Sequence, residues 1–229
     1  LQQVGDVPEI IVDVAHLPNN GKPHTTEAIL REFSERGLRT CQNVYKYSSV
    51  PFGYRGIVRN KQIWNAFGVD ADWIFFADCD NVYHPEFFSK LKGYLENTKA
   101  TNCITSSVKD HTDVPETNLV MDSFDEYIVI DNAYELAGKI SVVRTKNKKI
   151  AAGCMQVVRP KDIQDKNHGV YVEVDKCKDR NMLEQGQRAK SDIQFRRYMG
   201  GTTNIPLPKQ IHLNHLRDKE EGRHLEEQR

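Results

Sequence analysis

The chain reads as an α/β domain built on an open, mostly parallel sheet flanked by helices, and three observations carry that reading. Apolar runs of strand length alternate with stretches of helical spacing from Pro8 to Val108, in the order strand, helix, strand, helix, strand, helix, strand. The run Trp73-Ile74-Phe75-Phe76 is continuously apolar, with β-branched and aromatic character, as a strand buried on both faces requires. Gly37 and Gly68 follow the first two helical stretches as stop signals.

Taken in order, Leu1 to Val7 resembles the end of a helix with Gly5 as its cap, so the fold is expected to be entered midway. Pro8 to His16 predicts a strand whose end carries Asp13. Thr25-Thr26-Glu27 then supplies a hydroxyl cap for a helix with Ile29, Leu30 and Phe33 inward. Leu38 to Tyr47 predicts a second strand, and Arg59 to Phe67 a helix with Ile63, Trp64 and Phe67 on one face. His84-Pro85-Glu86 opens a helix whose inner stripe is Phe87, Phe88, Leu91, Tyr94 and Leu95. Asn102 to Val108 is the next strand.

Beyond Lys109 the alternation becomes irregular. Residues 109–135 read as acidic and loop-like, with a short strand at Tyr127 to Ile130. Ile140 to Arg144 and Lys149 to Arg159 are expected to pair as a hairpin about Thr145 to Lys148. A strand is expected over Val170 to Val174, then a helix from Met182 to Met199 ended by Gly200-Gly201. A single domain over residues 1–229 is predicted. Its nucleotide-binding half is 1–108, its acceptor half 109–216 and its charged, solvated tail 217–229.

Lys plus Arg and Asp plus Glu number 32 each, so no global field steers the chain towards nucleic acid. Its five cysteines are widely spaced and form no C-x-x-C pair, which argues against a zinc ribbon or a disulfide scaffold and for reduced core residues. No apolar stretch approaches the ~18 residues of a spanning helix, and no leader pattern opens the chain. A cytoplasmic protein, at most peripheral to a membrane, is expected. The basic run of Lys139, Arg144, Lys146, Lys148 and Lys149 reads as a solvated hairpin tip, with contact to an anionic acceptor or lipid headgroups as the other reading.

Chemistry concentrates at Asp78-Cys79-Asp80, directly after the doubly buried strand. Ligands bind beyond the carboxyl ends of strands in open α/β sheets, and two carboxylates two residues apart there can approach one hard cation. The bland alternative is that both acids cap the next helix or solvate the loop.

With Asn81, Pro85, Phe87 and Phe88 following, this stretch resembles the A-type-fold (GT-A) nucleotide-sugar glycosyltransferases, particularly family 2. Three blocks carry the resemblance in order. Arg59-Asn60 leads through a helix to the strand, D-x-D and Pro85; AAGCMQVVRP spans Ala151 to Pro160; SDIQFRRYMG spans Ser191 to Gly200. Ser191 stands where the family usually has Glu. The family's first strand and helix would precede Leu1.

The resemblance implies a metal-dependent enzyme moving a sugar from a nucleotide-diphosphate donor, UDP-sugar favoured, to the hydroxyl of a glycan, glycolipid or other acceptor. It implies that Asp13 and Arg59 contact the nucleotide and that Asp80 binds Mn2+ or Mg2+, with Asp78 near the ribose and the metal. Asp192 would be the base that deprotonates the acceptor, with inversion. A C-terminal imidazole, His212 or His215, would complete the metal site. Asp13, Arg59 and Asp192 also have plain readings as loop-capping, helix-pairing and helix-initiating residues.

Two other enzymes and one non-enzyme compete. A phosphohydrolase of the haloacid dehalogenase type would use Asp78 as nucleophile, but its motif belongs on the first core strand, and two α/β units precede it here. A sugar-nucleotide pyrophosphorylase needs a Gly-rich loop with Arg and Lys that is not visible. The third is a non-catalytic sugar-nucleotide-binding module.

Overall fold

The computed structural model describes residues 4–16, 26–44, 55–77, 81–106, 109–112, 135, 141–142, 155–165, 195–208 and 210–212. In chain order its elements are β1 (Ile11–His16), α1 (Thr26–Glu35), β2 (Arg39–Val44), α2 (Arg55–Gly68), β3 (Ile74–Ala77), β4 (Asn81–Tyr83) and α3 (Phe87–Asn97). There follow β5 (Cys103–Thr105), β6 (Lys109–Thr112), β7 (Ser141–Val142), β8 (Met155–Val158), α4 (Pro160–Asp165), β9 (Thr202–Asn204) and β10 (Gln210–His212). The strands expected at Tyr127 to Ile130 and Val170 to Val174 lie outside the described residues, as does most of the helix expected from Met182.

Strands β1 and β2 pair in parallel, with Asp13 opposite Cys41. Parallel neighbours need a crossover, and the amphipathic α1, which buries Leu30, supplies it. Gly37 closes α1 at φ 91°, with its N–H donating to Ser34 and the Leu38 N–H donating to Phe33. That bond pair is a Schellman closure, and its left-handed residue favours glycine. Asp13 was expected at the end of β1 but stands mid-strand, because pairing continues through Ala15↔Asn43 and His16↔Val44.

Helix α2 begins a turn earlier than its apolar spacing indicated, and it closes through Asp70 rather than Gly68. Asp70 takes φ 53°, with its N–H bonded to Phe67 and the Ala71 N–H bonded to Ala66. The expected inner face is also corrected. Ile63 is 1% exposed and Phe67 packs against the core, but Trp64 is 62% exposed. A step of one residue turns the helix by about 100°, which carries Trp64 off the face shared by Asn60, Ile63 and Phe67.

The central sheet has the order β3-β8-β5-β9. Strand β8 is antiparallel to both β3 and β5, while β5 and β9 are parallel. Strands β3, β5 and β9 therefore point the same way, and their carboxyl ends share one edge. The sheet is covered on both faces. On one, Ile74, Phe76, Cys103 and Val158 pack with Ile63 of α2, Ile163 of α4, and Phe195 and Met199. On the other, Ile104, Met155 and Val157 pack with Phe87 and Leu91 of α3, Ile205 and Leu207. The two-residue period of a strand divides the side chains in this way, and each buried apolar side chain contributes roughly 1.5–3 kcal/mol. Of the cysteines expected in the core, Cys103 is buried and Cys41 only half-buried, and the other three lie outside the described residues.

A third sheet has the order β4-β10-β6-β7, with β10 antiparallel to β4 and parallel to β6. The fold is therefore mixed α/β with small sheets, and four of the seven described strand pairings are antiparallel, which corrects the expected mostly parallel sheet. The turn of the expected hairpin and the part of its second strand that would face the first, residues 143–154, lie outside the described residues. Strand β7 pairs with β6, whereas β8 enters the central sheet. All four residues of β8 are buried, and a two-stranded hairpin cannot cover both faces and both edges of such a strand. Lys109 to Thr112, expected as loop, is a strand because β10 and β7 pair with its backbone on either side.

Among the described residues no helix is long and apolar enough to cross a membrane. In urea unfolding, Ile63→Ala is expected to cost about 2–5 kcal/mol, whereas Trp64→Ala should cost under about 1 kcal/mol. Gly37→Ala, at a position with open space for a Cβ, should cost roughly 1–2 kcal/mol through its left-handed backbone alone.

Candidate functional site

The carboxyl-end edge of the central sheet carries a group of linked polar side chains, and α2 organises it. Arg59, Gln62 and Asn65 recur every three residues and form a polar border beside the buried Ile63. Arg59 donates to the Ala77 carbonyl, the last residue of β3, at 3.3 Å, and to Gln62 Oε1 at 3.5 Å. Its guanidinium carbon lies 4.9 Å from the centroid of the Phe76 ring, a cation–π stack that holds the planar group in place. Gln62 Nε2 donates to the Asp13 carbonyl at 2.9 Å, and Asn65 Nδ2 donates to Asp13 Oδ2 at 2.8 Å. Asp13 and Arg59, some 46 positions apart in sequence, are thus linked through one helix border.

Both flanks of the D-x-D segment are held. On one side Ala77 pairs with Met155 of β8 and accepts from Arg59. On the other, β4 starts at Asn81 and is fastened by β10 and by an aromatic cluster. The Tyr83 ring lies 4.8 Å from Phe87, 5.5 Å from Phe88 and 5.7 Å from Phe75, centroid to centroid. Asp78 and Asp80 themselves lie outside the described residues, as do Asp192 and His215.

His212 is described in its backbone. It ends β10 as the register partner of Asn81, the residue after Asp80. The expected imidazole donor is thus carried by the strand that pairs beside the D-x-D exit. Carboxylates with an imidazole form a donor set that suits manganese. No metal-holding group of three or more His, Cys, Asp or Glu occurs among the described residues, a search that does not reach Asp78 or Asp80.

Buried polarity continues along the edge. Gln210 lies 3.1 Å from Met155 Sδ through its Nε2. Its Oε1 is buried without a hydrogen-bond partner, as are the Thr105 and Ser106 hydroxyl oxygens at the end of β5. Such groups cost about 1–3 kcal/mol each, so this edge is not built for stability alone.

Arg159, the penultimate residue of the second resembling block, occupies the opposite end of the sheet, because β8 runs antiparallel. It donates to Asp162 at 2.9 Å and to the Ala100 carbonyl at 2.7 Å, and lies 5.2 Å from the centroid of Trp73. It is a brace between β3, β5 and α4. Sequence reasoning missed Gln62, Asn65 and Gln210. The i, i+3, i+6 spacing of Arg59, Gln62 and Asn65 was a usable signal for the first two, whereas nothing local marks Gln210.

Neither a protein-family model nor a curated protein matches the chain.

Asn65→Ala removes a donor from the half-buried Asp13 carboxylate, and chemical denaturation is expected to show a loss of about 1 kcal/mol.

Proposed function

We propose that the chain is a metal-dependent glycosyltransferase of the GT-A type that moves a sugar from a nucleotide-diphosphate donor, UDP-sugar favoured, to an acceptor hydroxyl. The observation that carries this is the anchoring of the D-x-D segment on both flanks, with Arg59 stacked at the strand end before it and β10 paired with the strand after it. A guanidinium fixed at the end of the strand that two carboxylates follow in sequence suits a diphosphate, since its planar fork matches phosphate oxygens. The convergence of three strand carboxyl ends on this edge agrees with the open-sheet rule for ligand sites.

In this reading Asp13 and Arg59 hold the nucleotide, and Asp78, Asp80 and one of His212 and His215 hold a divalent cation. Bound there, Mn2+ or Mg2+ would neutralise charge on the departing diphosphate. Asp192 takes the acceptor proton as the hydroxyl attacks the anomeric carbon with inversion; it must come within hydrogen-bond reach of that oxygen. A glycan or glycolipid acceptor would fit a cytoplasmic enzyme at most peripheral to a membrane, the basic run at 139–149 being read first as a solvated tip and second as a contact for lipid headgroups.

Calorimetry with UDP is expected to show binding that requires Mn2+ and disappears in Asp80→Ala. Metal-independent phosphatase activity lost in Asp78→Asn would instead establish the phosphohydrolase reading. Asp192→Asn should retain donor binding and lose transfer by about 100-fold or more; unchanged transfer removes Asp192 from the mechanism. Arg59→Lys keeps the charge but loses the fork, and about a tenfold weaker UDP affinity is expected by the same calorimetry.

A further inference from the structure

Helix α2 fastens two opposite charges at separate points of one border. Asp13 is half-buried in β1, and Asn65 Nδ2 donates to its Oδ2 at 2.8 Å. Arg59 is held by the Ala77 carbonyl at 3.3 Å and by the Phe76 ring, whose centroid lies 4.9 Å from the guanidinium carbon. Arg59 and Asn65 stand about 9 Å apart along the helix axis. An ionised carboxylate only accepts hydrogen bonds, and a guanidinium only donates them. The two ends of the border therefore meet different chemistry. Phosphate oxygens, which accept, suit the Arg59 end, and hydroxyl groups, which donate, suit the Asp13 end. A nucleoside diphosphate carries these two chemistries at opposite sides of its ribose, acceptors beyond the 5′ carbon and hydroxyls on the ring.

We propose that Asn65 is a positioning residue: it fixes the Asp13 carboxylate as the acceptor for the ribose hydroxyls of a nucleoside diphosphate whose phosphates lie on Arg59. The inference rests on the glycosyltransferase reading for the nucleotide and adds a residue to which the resemblance gives no role. Because the Asn65 amide is neutral, it holds the carboxylate without cancelling its charge. Without that donor the carboxylate has to be ordered by the ligand itself, and it is open to the pull of the Arg59 charge. Either effect weakens the ribose contact and spares the phosphate contact. A tie that served only to join α2 to β1 would, when cut, weaken every nucleotide alike.

The test is calorimetry on the full chain with Mn2+ and either UDP or 2′,3′-dideoxy-UDP, which keeps both phosphates and lacks the ribose hydroxyls. Wild type is expected to favour UDP by about tenfold or more, the effect of a hydrogen bond to a charged group. Asn65→Leu, similar in size but without a donor, should bring the ratio to within about threefold by weakening UDP alone. Trp64→Ala, on the exposed face of the same helix, should leave the ratio unchanged. Asn65→Asp sets a second carboxyl against Asp13, and such a pair holds a shared proton at raised pH. The protonated carboxyl donates as the amide did, so in this variant the UDP preference should be absent at about pH 8 and return towards about pH 5. Thermal melts identify the folded variants, and the pH rescue supplies a second reading at the same position. An unchanged ratio in folded Asn65→Leu, or an equal loss of affinity for both ligands, overturns the proposal. Equal affinity of wild type for the two ligands overturns it as well and leaves the glycosyltransferase reading standing. A wild-type chain that binds no UDP with Mn2+ sinks that reading and the inference with it.

Discussion

A strand that is apolar on both faces has to be covered twice, and the rest of this structure follows from meeting that demand for β3 and β8. Phe76 and Ile74 of β3 face α2, α4 and Phe195, while Phe75 and Trp73 face the α3 side. Strand β8 adds Val158 to the first core and Met155 and Val157 to the second. Because both layers are filled by large side chains, the strands cannot slip by one residue without exchanging the two cores. The edge at Ala77 and Met155 is therefore fixed by packing some distance away from it. The Phe76 and Phe195 rings, edge to face at 5.8 Å, show how tightly one layer is keyed.

Helix α2 uses the same demand for a second purpose. Its Ile63 is drawn into the core, and this orients the neighbouring border of Arg59, Gln62 and Asn65 along the sheet edge. Three hydrogen bonds from that border reach Asp13 and Ala77, which belong to different sheets. The apolar side of one helix thus sets the position of its polar border.

The chain's return to the edge through β10 links the two halves. Gln210 reaches Met155 of the central sheet, while Gln210 to His212 pairs with β4 on one side and β6 on the other. Segments near residues 81, 110 and 211 are thereby brought into one small sheet. The unpartnered oxygens of Thr105, Ser106 and Gln210 lie where the central sheet meets this return. Buried polar groups without partners are more expensive than apolar replacements, so their presence marks an edge shaped by something other than stability.

The sequence by itself determined where α1, α2, α3 and strands β1, β2, β3 and β5 fall, though not β4, that β3 is covered on both faces, and that two carboxylates follow it directly. Each of these is local: a two-residue or 3.6-residue period, a glycine stop, or an acidic pair can be read within a dozen positions. The tertiary structure alone decided the strand order, the antiparallel entry of β8, the exposure of Trp64, the link from Asp13 to Arg59 and the pairing of β10 with β4 and β6. Apolar pattern reports that a strand is buried but carries no information about its neighbour. Pairing between residues 81 and 212 is chosen by competition among all the segments that could fill the same edge. Lys109 to Thr112 makes the point most plainly, since KDHT has no strand pattern of its own and is a strand because β10 and β7 hold its backbone.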